Sequence, residues 1–419
     1  RPLNMANLTD NITEENNKNQ NTQKQNKQKE LTLKYEFSLD STLPYYLILI
    51  PYSLFYLGVY LHNQFFVIVF VFVVLPYTDT YLSLDLINPS KEKQRELKKN
   101  NWFRAPLYFA SACEMITYFY GVYHMTDPNY GYYYKASCLF VLMTFQGVSI
   151  NYSHELNHKV NTLDNILGAI LLIKNFYLHW FIEHNYGHHK TVGTPLDPAS
   201  AVKGMTVWQF IPQSFFGAMI SSWRIEQSIV KEEGRSVFTN RIYISIVIYI
   251  LNSFCLLRFL GLSQGLMAIL IGALGPIYLE GVNYIEHYGL RRKMLENGEY
   301  EVVSIHHSWN APHRATNYML FKLQRHSDHH ANGLKPYQTL CSYDESPNLP
   351  QGYAFCIILA ISPSNWFDII DPLVDAYNKN KRIPKSLLEI TLEKCKKFLH
   401  KTFLIITGLM LIQLGVNLL

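Results

Sequence analysis

The stretch 242-IYISIVIYILNSFCLLRFLGL-262 is apolar from end to end, with Arg258 as its single charged side chain. About 20 apolar residues in a helix are enough to cross the hydrocarbon core of a bilayer. A second apolar stretch, 265-GLMAILIGALGPIYLEGVNYI-285, follows after the two polar residues Ser263 and Gln264. Two long apolar helices joined by so short a connection predict a pair of antiparallel helices that cross a membrane.

Four earlier windows have the same length and apolar character, and we predict six transmembrane helices in an all-α integral membrane bundle. These windows cover residues 43–61, 64–84, 105–123 and 135–153. The apolar run 403-FLIITGLMLIQLGVNLL-419 lies at the short limit for spanning, so a seventh helix and an interfacial anchor fit it equally. The segment 166–184 contains Lys174 and His179, which favours a short helix in or partly dipping into one leaflet.

The orientation follows from the loop 91-KEKQRELKKNNWFR-104, which holds six Lys and Arg residues. Basic loops stay on the cytoplasmic side, so this loop is predicted to be cytoplasmic. Counting crossings from it places the N-terminal tail, residues 154–241 and everything after about residue 287 on the same side. We predict that the two long polar regions form a cytoplasmic cap on a multi-pass protein of a bacterial inner membrane or an endoplasmic reticulum-type membrane.

The chain divides by composition into three parts. Residues 1–34 are rich in Asn, Gln, Lys and Glu and are predicted to be disordered. Residues 35–375 form the membrane domain, and residues 376–419 form a C-terminal extension with an apolar anchor helix. A formal charge of +5, with basic residues between helices, excludes a nucleic-acid partner and favours membrane lipid. Six scattered cysteines without a CxxC pair exclude a zinc-ribbon or rubredoxin module within this chain.

Nine of the sixteen histidines fall into four compact motifs at the cap ends of the predicted spans. The motifs are 154-HELNHK-159, 184-HNYGHH-189, 283-NYIEHYGL-290 and 323-LQRHSDHHA-331. On an α-helix His154 and His158 lie on one face, and so do His184 and His188, whereas His189 is turned by about 100°. Motifs that present imidazoles in two directions suit two metal ions. Imidazole ligands are compatible with Fe, Cu, Ni or Zn.

The remaining histidines divide into two sets. We expect packing roles for His62, His124, His179 and His400, while His306, His307 and His313 lie in the cap near the fourth motif. The pattern HExxH also occurs in zinc proteases, with Glu155 as the base, but that interpretation leaves the other motifs idle. A zinc transporter would place its ligands near the midplane of the bilayer at a repeat interface, and no repeat is visible.

Together the four motifs resemble the integral-membrane alkane 1-monooxygenase family, which shares histidine boxes with membrane fatty-acid desaturases and xylene monooxygenase. The resemblance covers about residues 40–375 and includes 348-NLPQGY-353. It implies two Fe ions in a di-iron centre, with O2 as co-substrate, that hydroxylates the terminal carbon of medium or long alkyl chains. The implied ligands are His154, His158, His184, His188, His189, His287, His326, His329 and His330. Desaturation or hydroxylation of a fatty acyl or other lipid is the alternative, followed by metal binding without oxidase activity.

Electrons must come from another protein, because the chain has no CxxC pair, no GxGxxG loop and no haem-attachment motif. The resemblance implies a rubredoxin or ferredoxin with its NAD(P)H reductase. Several basic residues of the cap could attract an acidic carrier, and the positive-inside rule explains their position equally well. They are Lys159, Lys190, Arg291, Arg292, Lys293, Arg314, Lys322 and Arg325.

Four acidic residues each adjoin a predicted ligand and are candidates to orient an imidazole: Glu155, Glu183, Glu286 and Asp328. Because neighbours on a helix diverge by about 100°, each acid is expected to orient a histidine of another motif. A solvated charge at a helix end is the alternative. Residues that could set the depth of a substrate corridor, or simply pack or face lipid, are Phe65, Phe66, Phe70, Phe72, Gly147 and Gly272.

Overall fold

A computed structural model of the chain describes residues 39–158 and 161–418, and these residues are all-α apart from isolated bridges and loops. The predicted disordered tail, residues 1–34, lies outside the described residues, as does Lys159. The helices are α1 Leu43–Tyr60, α2 Phe65–Tyr81, α3 Lys91–Lys99, α4 Arg104–Thr126, α5 Tyr132–Asn157, α6 Thr162–Lys174, α7 (residues 180–191), α8 Val207–Glu232, α9 Arg241–Leu260, α10 Leu262–His287, α11 Arg314–Met319, α12 His326–Ala331, α13 Tyr353–Ala360, α14 Pro363–Asn380 and α15 Lys385–Leu418.

Each of the six predicted transmembrane windows lies on a helix, but these helices differ in polarity. Among the described residues, four helices are long and apolar enough to cross a membrane: α1, α9, α10 and α15, while α2 is shorter. Helices α4 and α5 have 23 and 26 residues but carry more polar side chains. Their buried Glu114 and Gln146 pair with each other at 2.8 Å, so part of this polarity is hidden between the two helices.

The long helices extend between a histidine-bearing side and an opposite side. Tyr45, near the start of α1, packs against Tyr337 of the cap with ring centroids 4.8 Å apart. At the other end of the bundle, Gln64 in the α1–α2 connection donates to the Tyr134 hydroxyl near the start of α5. Helices α5 and α10 then carry His154 and His287 back to the cap. Paired, antiparallel helices therefore bring distant histidines to one end of the bundle.

The C-terminal helix begins much earlier than the predicted apolar run. Residues 385–402 extend α15 toward the cap, where Lys394 forms an ion pair with Asp368 at 2.7 Å. At the other end, Gln413 Nε2 donates to the His62 carbonyl at 2.9 Å. The helix therefore runs from the cap to the opposite side of the bundle, and whether it crosses a membrane stays a prediction. The predicted domain boundary at residue 375 falls within α14 and stays a prediction.

The predicted short helix over residues 166–184 is two helical segments. Helix α6 ends at Lys174, and Phe176 follows with a φ of +53°, a left-handed conformation that interrupts the helix. The Lys174 ammonium pairs with Glu114 inside the bundle, and Asn175 donates to the Ser149 hydroxyl at 2.9 Å. These buried polar contacts hold the break in place. After the break, helix α7 starts in a new direction and carries the second histidine motif.

The fourth histidine motif is fixed to the cap by a buried arginine. The Arg325 guanidinium, which is 1% exposed, donates to the carbonyls of Asp85, Ile87 and Leu340. Lys322 also contacts the Asp85 carboxylate. The prediction that Lys322 and Arg325 could attract an electron carrier is therefore wrong, because both cations are buried and paired with a single carboxylate.

Candidate metal centre

The structure brings all nine predicted ligand residues together in two adjoining groups. The five-histidine group contains His154, His158, His184, His189 and His329. The four-histidine group contains His188, His287, His326 and His330. Within each group, one possible ligand nitrogen per residue lies within 4.8 Å of all the others. That arrangement matches the expectation of two metal ions, while ligation itself stays a prediction.

The distances between imidazole nitrogens fit metal ligation. In the five-histidine group the Nε2 atom of His154 lies 2.9 Å from His158 Nε2 and 3.0 Å from His329 Nε2. Metal-bound imidazole nitrogens lie about 2.0–2.1 Å from an ion such as Zn²⁺, so two ligands at right angles are about 3.0 Å apart. An imidazole nitrogen has either one hydrogen or one lone pair, so hydrogen bonds cannot satisfy His154 Nε2 in both directions. A cation accepts all of these lone pairs at once.

The four-histidine group has the same spacing. His326 Nε2 lies 3.2 Å from His287 Nε2 and 3.0 Å from His330 Nε2. His188 Nε2 is buried and has no hydrogen-bond partner among the described residues. A buried polar atom without a partner is costly, and a metal ion would satisfy it.

A π-helical turn in α7 divides the second histidine motif between the two groups. Residues Glu183–His188 form this turn, which has about one more residue per turn than an α-helix. His184 and His189, five residues apart, therefore converge with Nε2 atoms 3.1 Å apart, while His188 points into the other group. The prediction that His184 and His188 share one face is wrong, because it assumed α-helical periodicity.

Burial lowers the pKa of the imidazoles that α7 and the fourth motif contribute, except at His188, where burial is outweighed by the contact with Asp197, which raises the pKa to about 9. Desolvation lowers the pKa of His184 and His189 well below its ordinary value, and neighbouring imidazoles lower it further. The same cause lowers the pKa of the three cap histidines His326, His329 and His330. Neutral imidazole is the form whose lone pair binds a metal.

Asp197 orients His188 and was not singled out in the sequence. Its two carboxylate oxygens lie 3.0 and 3.1 Å from His188 Nδ1. Burial acts to raise the pKa of Asp197, but His188 and Ser200 together hold it below the ordinary value. A carboxylate that accepts from Nδ1–H leaves the Nε2 lone pair directed at the metal. The signal was weak, because Asp197 lies nine residues beyond His188 in a loop that returns to the motif.

The four predicted acids occupy different environments. Glu286 adjoins His287 in sequence but lies 3.3 Å from His326 Nδ1, and its orienting role stays a prediction. Asp328 instead fixes the cap loop, accepting from Lys335 Nζ at 2.8 Å and from the Cys341 amide at 2.7 Å.

The orienting role of Glu155 and Glu183 stays a prediction. Glu155 accepts from the Tyr337 amide at 3.3 Å. Glu183 is buried, and desolvation with the nearby Asp197 raises its pKa to about 8.

The other histidines lie outside both groups. His306 Nδ1 contacts the Tyr377 hydroxyl at 2.7 Å, and His307 lies 3.1 Å from Glu301. His313 is buried just before α11. The set predicted to have packing roles, His62, His124, His179 and His400, is also absent from the groups.

An apolar cavity of about 70 Å³ lies beside the groups within the bundle. Concave sites with a mainly apolar lining are typical of small-molecule binding. Asn151 and Leu323 line it three residues before His154 and His326. Tyr353 lines the same cavity, and its hydroxyl neighbours the Glu286 carboxylate. Of the predicted corridor residues, Gly147 lines the cavity, whereas the four phenylalanines and Gly272 do not.

A second, polar pocket opens next to the five-histidine group. His158 and Glu155 line it, together with the cations Lys98 and Arg104. His158 is half-buried, whereas His154 is 5% exposed. At this pocket a predicted ligand histidine, His158, can be reached from outside the bundle.

Comparisons with known proteins agree with this site. Residues 131–357 match the fatty acid desaturase family. An alkane 1-monooxygenase of Pseudomonas putida is 34% identical over 331 residues, covering 78% of this chain and 82% of the relative. An alkane 1-monooxygenase of Acinetobacter baylyi is 33% identical, covering 73% and 76%. The hydroxylase component of a xylene/toluene monooxygenase of Pseudomonas putida is 26% identical, covering 56% and 63%.

Proposed function

The chain belongs to the alkane 1-monooxygenases of the fatty acid desaturase family, and we propose that it hydroxylates the terminal carbon of medium or long alkyl chains to primary alcohols. The observation that carries the proposal is the pair of histidine groups beside an apolar cavity. The cavity suits a hydrocarbon, which offers no polar atom for recognition. The reaction consumes O2, two electrons and two protons, and releases water with the alcohol.

We propose that two iron ions occupy the two groups, one in each. Iron there supplies the reduction of dioxygen that attack on an unactivated C–H bond requires. Asp197 fixes the tautomer of His188, while the Glu286 carboxyl lies 3.3 Å from His326 Nδ1 and is positioned to orient that ring when a metal is bound. The buried histidines hold the ions rigidly and keep bulk water out of the site.

The cavity residues position the substrate. Its lining is almost entirely apolar, so an alkyl chain binds by leaving water and lies along the helices. Tyr353 is placed where the cavity meets Glu286, close to the four-histidine group. We propose that its ring limits how far the alkyl chain enters and holds the terminal methyl group close to the histidine groups.

We further propose a multi-pass topology with seven crossings and the groups on the cytoplasmic face. The seven helices α1, α2, α4, α5, α9, α10 and α15 support it, since each runs between the histidine-bearing side and the opposite side. The basic loop 91–104 and helix α3 lie on the histidine-bearing side, as the positive-inside rule requires of the cytoplasm.

A rubredoxin-type carrier is the proposed electron donor, and the polar pocket at His158 is the proposed place of electron entry. Lys98 of that pocket suits an acidic protein, whereas Arg104 is paired with the buried Asp164 at 3.1 Å. We expect the rate of reduction to fall with increasing salt, because added ions screen this attraction. A rate independent of salt would contradict the docking site but not the reaction.

The test is product identification. The full chain in membranes, with a rubredoxin and its reductase, is given n-alkanes and fatty acids under ¹⁸O₂, and products are identified by mass spectrometry. We expect ¹⁸O-labelled 1-alkanols from the wild type and from His400→Ala, whose histidine lies outside the groups, and none from His287→Ala. Olefins or hydroxy acids without 1-alkanols would replace the proposal by desaturation or hydroxylation of an acyl lipid.

A further inference from the structure

A groove of about 610 Å³ outside the metal groups lies between the start of α15 and the cap. We call it the C-terminal groove. One wall is formed by residues 381–396, which join α14 to α15 and form the first turns of α15. The other wall is formed by the segment after α2 and by cap residues 343–351. The groove lies where α15 leaves the cap and continues as an apolar helix.

The α15 wall carries cations that the fold does not neutralise. Arg382 and Lys385 form no ion pair with any described residue. Lys381 packs over the Tyr377 ring, with its ammonium 5.3 Å from the centroid. Unpaired cations that line a concave site beside a transmembrane helix are typical of lipid headgroup contacts.

The cap wall carries the opposite charge. Asp344 and Glu345 are exposed and line the groove, and no described cation lies within 4.0 Å of either carboxylate. The groove therefore contains charges of both signs that form no ion pair with each other. A ligand that contains both a phosphate and an ammonium would satisfy both walls, whereas a simple anion would satisfy only one.

Apolar side chains line the same groove. Leu82, Leu84 and Leu86 are 44%, 41% and 45% exposed and stand on the wall that follows α2. Leu388 and Leu392 of α15 also line it. Leucines exposed in a groove at the end of a membrane helix favour contact with an acyl chain, because burial of apolar surface stabilises the contact.

We propose that the C-terminal groove binds a membrane phospholipid with a phosphoethanolamine head. Its phosphate binds Arg382 and Lys385, its ammonium faces Asp344 and Glu345, and its acyl chains lie on the leucines. The lipid fills the space between α15 and the cap and joins the C-terminal helix to the enzyme body. The groove shares no residue with the histidine groups, so the inference does not depend on the reaction.

The test counts bound lipids on the full chain. The protein is placed in nanodiscs with equal parts of phosphatidylethanolamine and phosphatidylglycerol, extracted in mild detergent and examined by native mass spectrometry. We expect phosphatidylethanolamine to be retained at least fivefold over phosphatidylglycerol. The double variant Arg382→Gln/Lys385→Gln should retain at least tenfold less, whereas Lys397→Gln/Lys401→Gln, which removes two cations of α15 outside the groove, should retain the wild-type amount.

A second variant and a competitor make the test decisive. Asp344→Asn/Glu345→Gln should shift the preference toward phosphatidylglycerol, because the remaining wall is cationic. Equal retention by the Arg382 and Lys385 variant, or a wild-type preference for phosphatidylglycerol, would overturn the proposal. Displacement of the lipid by soluble phosphoethanolamine at equal concentration would show that the leucines contribute nothing and would overturn the lipid assignment. Metal content, measured in parallel, verifies that each variant is folded.

Discussion

Replacing Asp197 by Asn should weaken metal binding in the four-histidine group alone. The carboxylate accepts from His188 Nδ1 and from the Ser200 hydroxyl, with its Oδ2 atom 3.0 and 2.5 Å from these donors. An Asn amide keeps the shape but removes the negative charge and one acceptor oxygen. If the amide nitrogen replaces Oδ2, His188 must shift its hydrogen toward Nε2, the atom that faces the metal.

The magnitude follows from the kind of hydrogen bond that is lost. A hydrogen bond to a charged group contributes about 1.5–3 kcal/mol to stability, and each 1.4 kcal/mol is about a factor of ten in affinity. The expected loss is therefore about ten- to a hundredfold in affinity for one ion, which agrees with the range for outer contacts of ligating histidines. The five-histidine group contains no contact with Asp197 and should keep its ion.

The assay is metal content during titration with a chelator, measured by mass spectrometry of the elements. The wild type should release its two ions over a similar range, whereas Asp197→Asn should release one ion at a chelator concentration about ten- to a hundredfold lower. Asp375→Asn is the matched control, since Asp375 is an exposed carboxylate paired with Lys203. Identical release curves for Asp197→Asn and the wild type would refute the reasoning.

Three other changes test the fold around the site. Asp85→Asn leaves two buried cations without a carboxylate and should cost about 3–5 kcal/mol of the free energy of unfolding; an unchanged melting temperature would contradict the buried pairing. Gly147→Ala places a Cβ 2.4 Å from the Tyr278 ring and should cost about 1–3 kcal/mol, whereas Gly408→Ala, which meets nothing within 4 Å, should be neutral. Removal of metal by a chelator should lower the melting temperature, and re-addition should restore it, because an ion that binds the folded state stabilises it by about 2.7 kcal/mol at a hundredfold excess over its Kd. Equal melting with and without metal would show that the groups hold no ion.

The helices and the nine histidines could be predicted because both signals are local. Apolar runs of sufficient length define the six windows, and compact histidine motifs at their ends define the candidate ligands. The full extent of α15 was missed, because residues 385–402 are amphipathic and become helical by packing Cys395 and Leu399 on the cap. Composition alone marks only the apolar half of such a helix.

The division of ligands between the groups could not be predicted. It depends on a π-helical turn at Glu183–His188. The side chains of the motif do not indicate whether its backbone hydrogen bonds follow α-helical or π-helical spacing. Asp197 and Asp85 were missed for a different reason. The role of each is visible only when another segment of the chain packs against it. Asp85 and its partner Lys322, for example, are more than 230 residues apart in the sequence.

There are two pairs of consecutive histidines, His188 with His189 and His329 with His330, and each pair contributes one side chain to each of the two groups. Two peptide bonds, one in each pair, therefore link the two sites directly, and each group takes its histidines from more than one segment of the chain. An ion bound in one group would therefore fix the backbone at residues that also position two histidines of the other group.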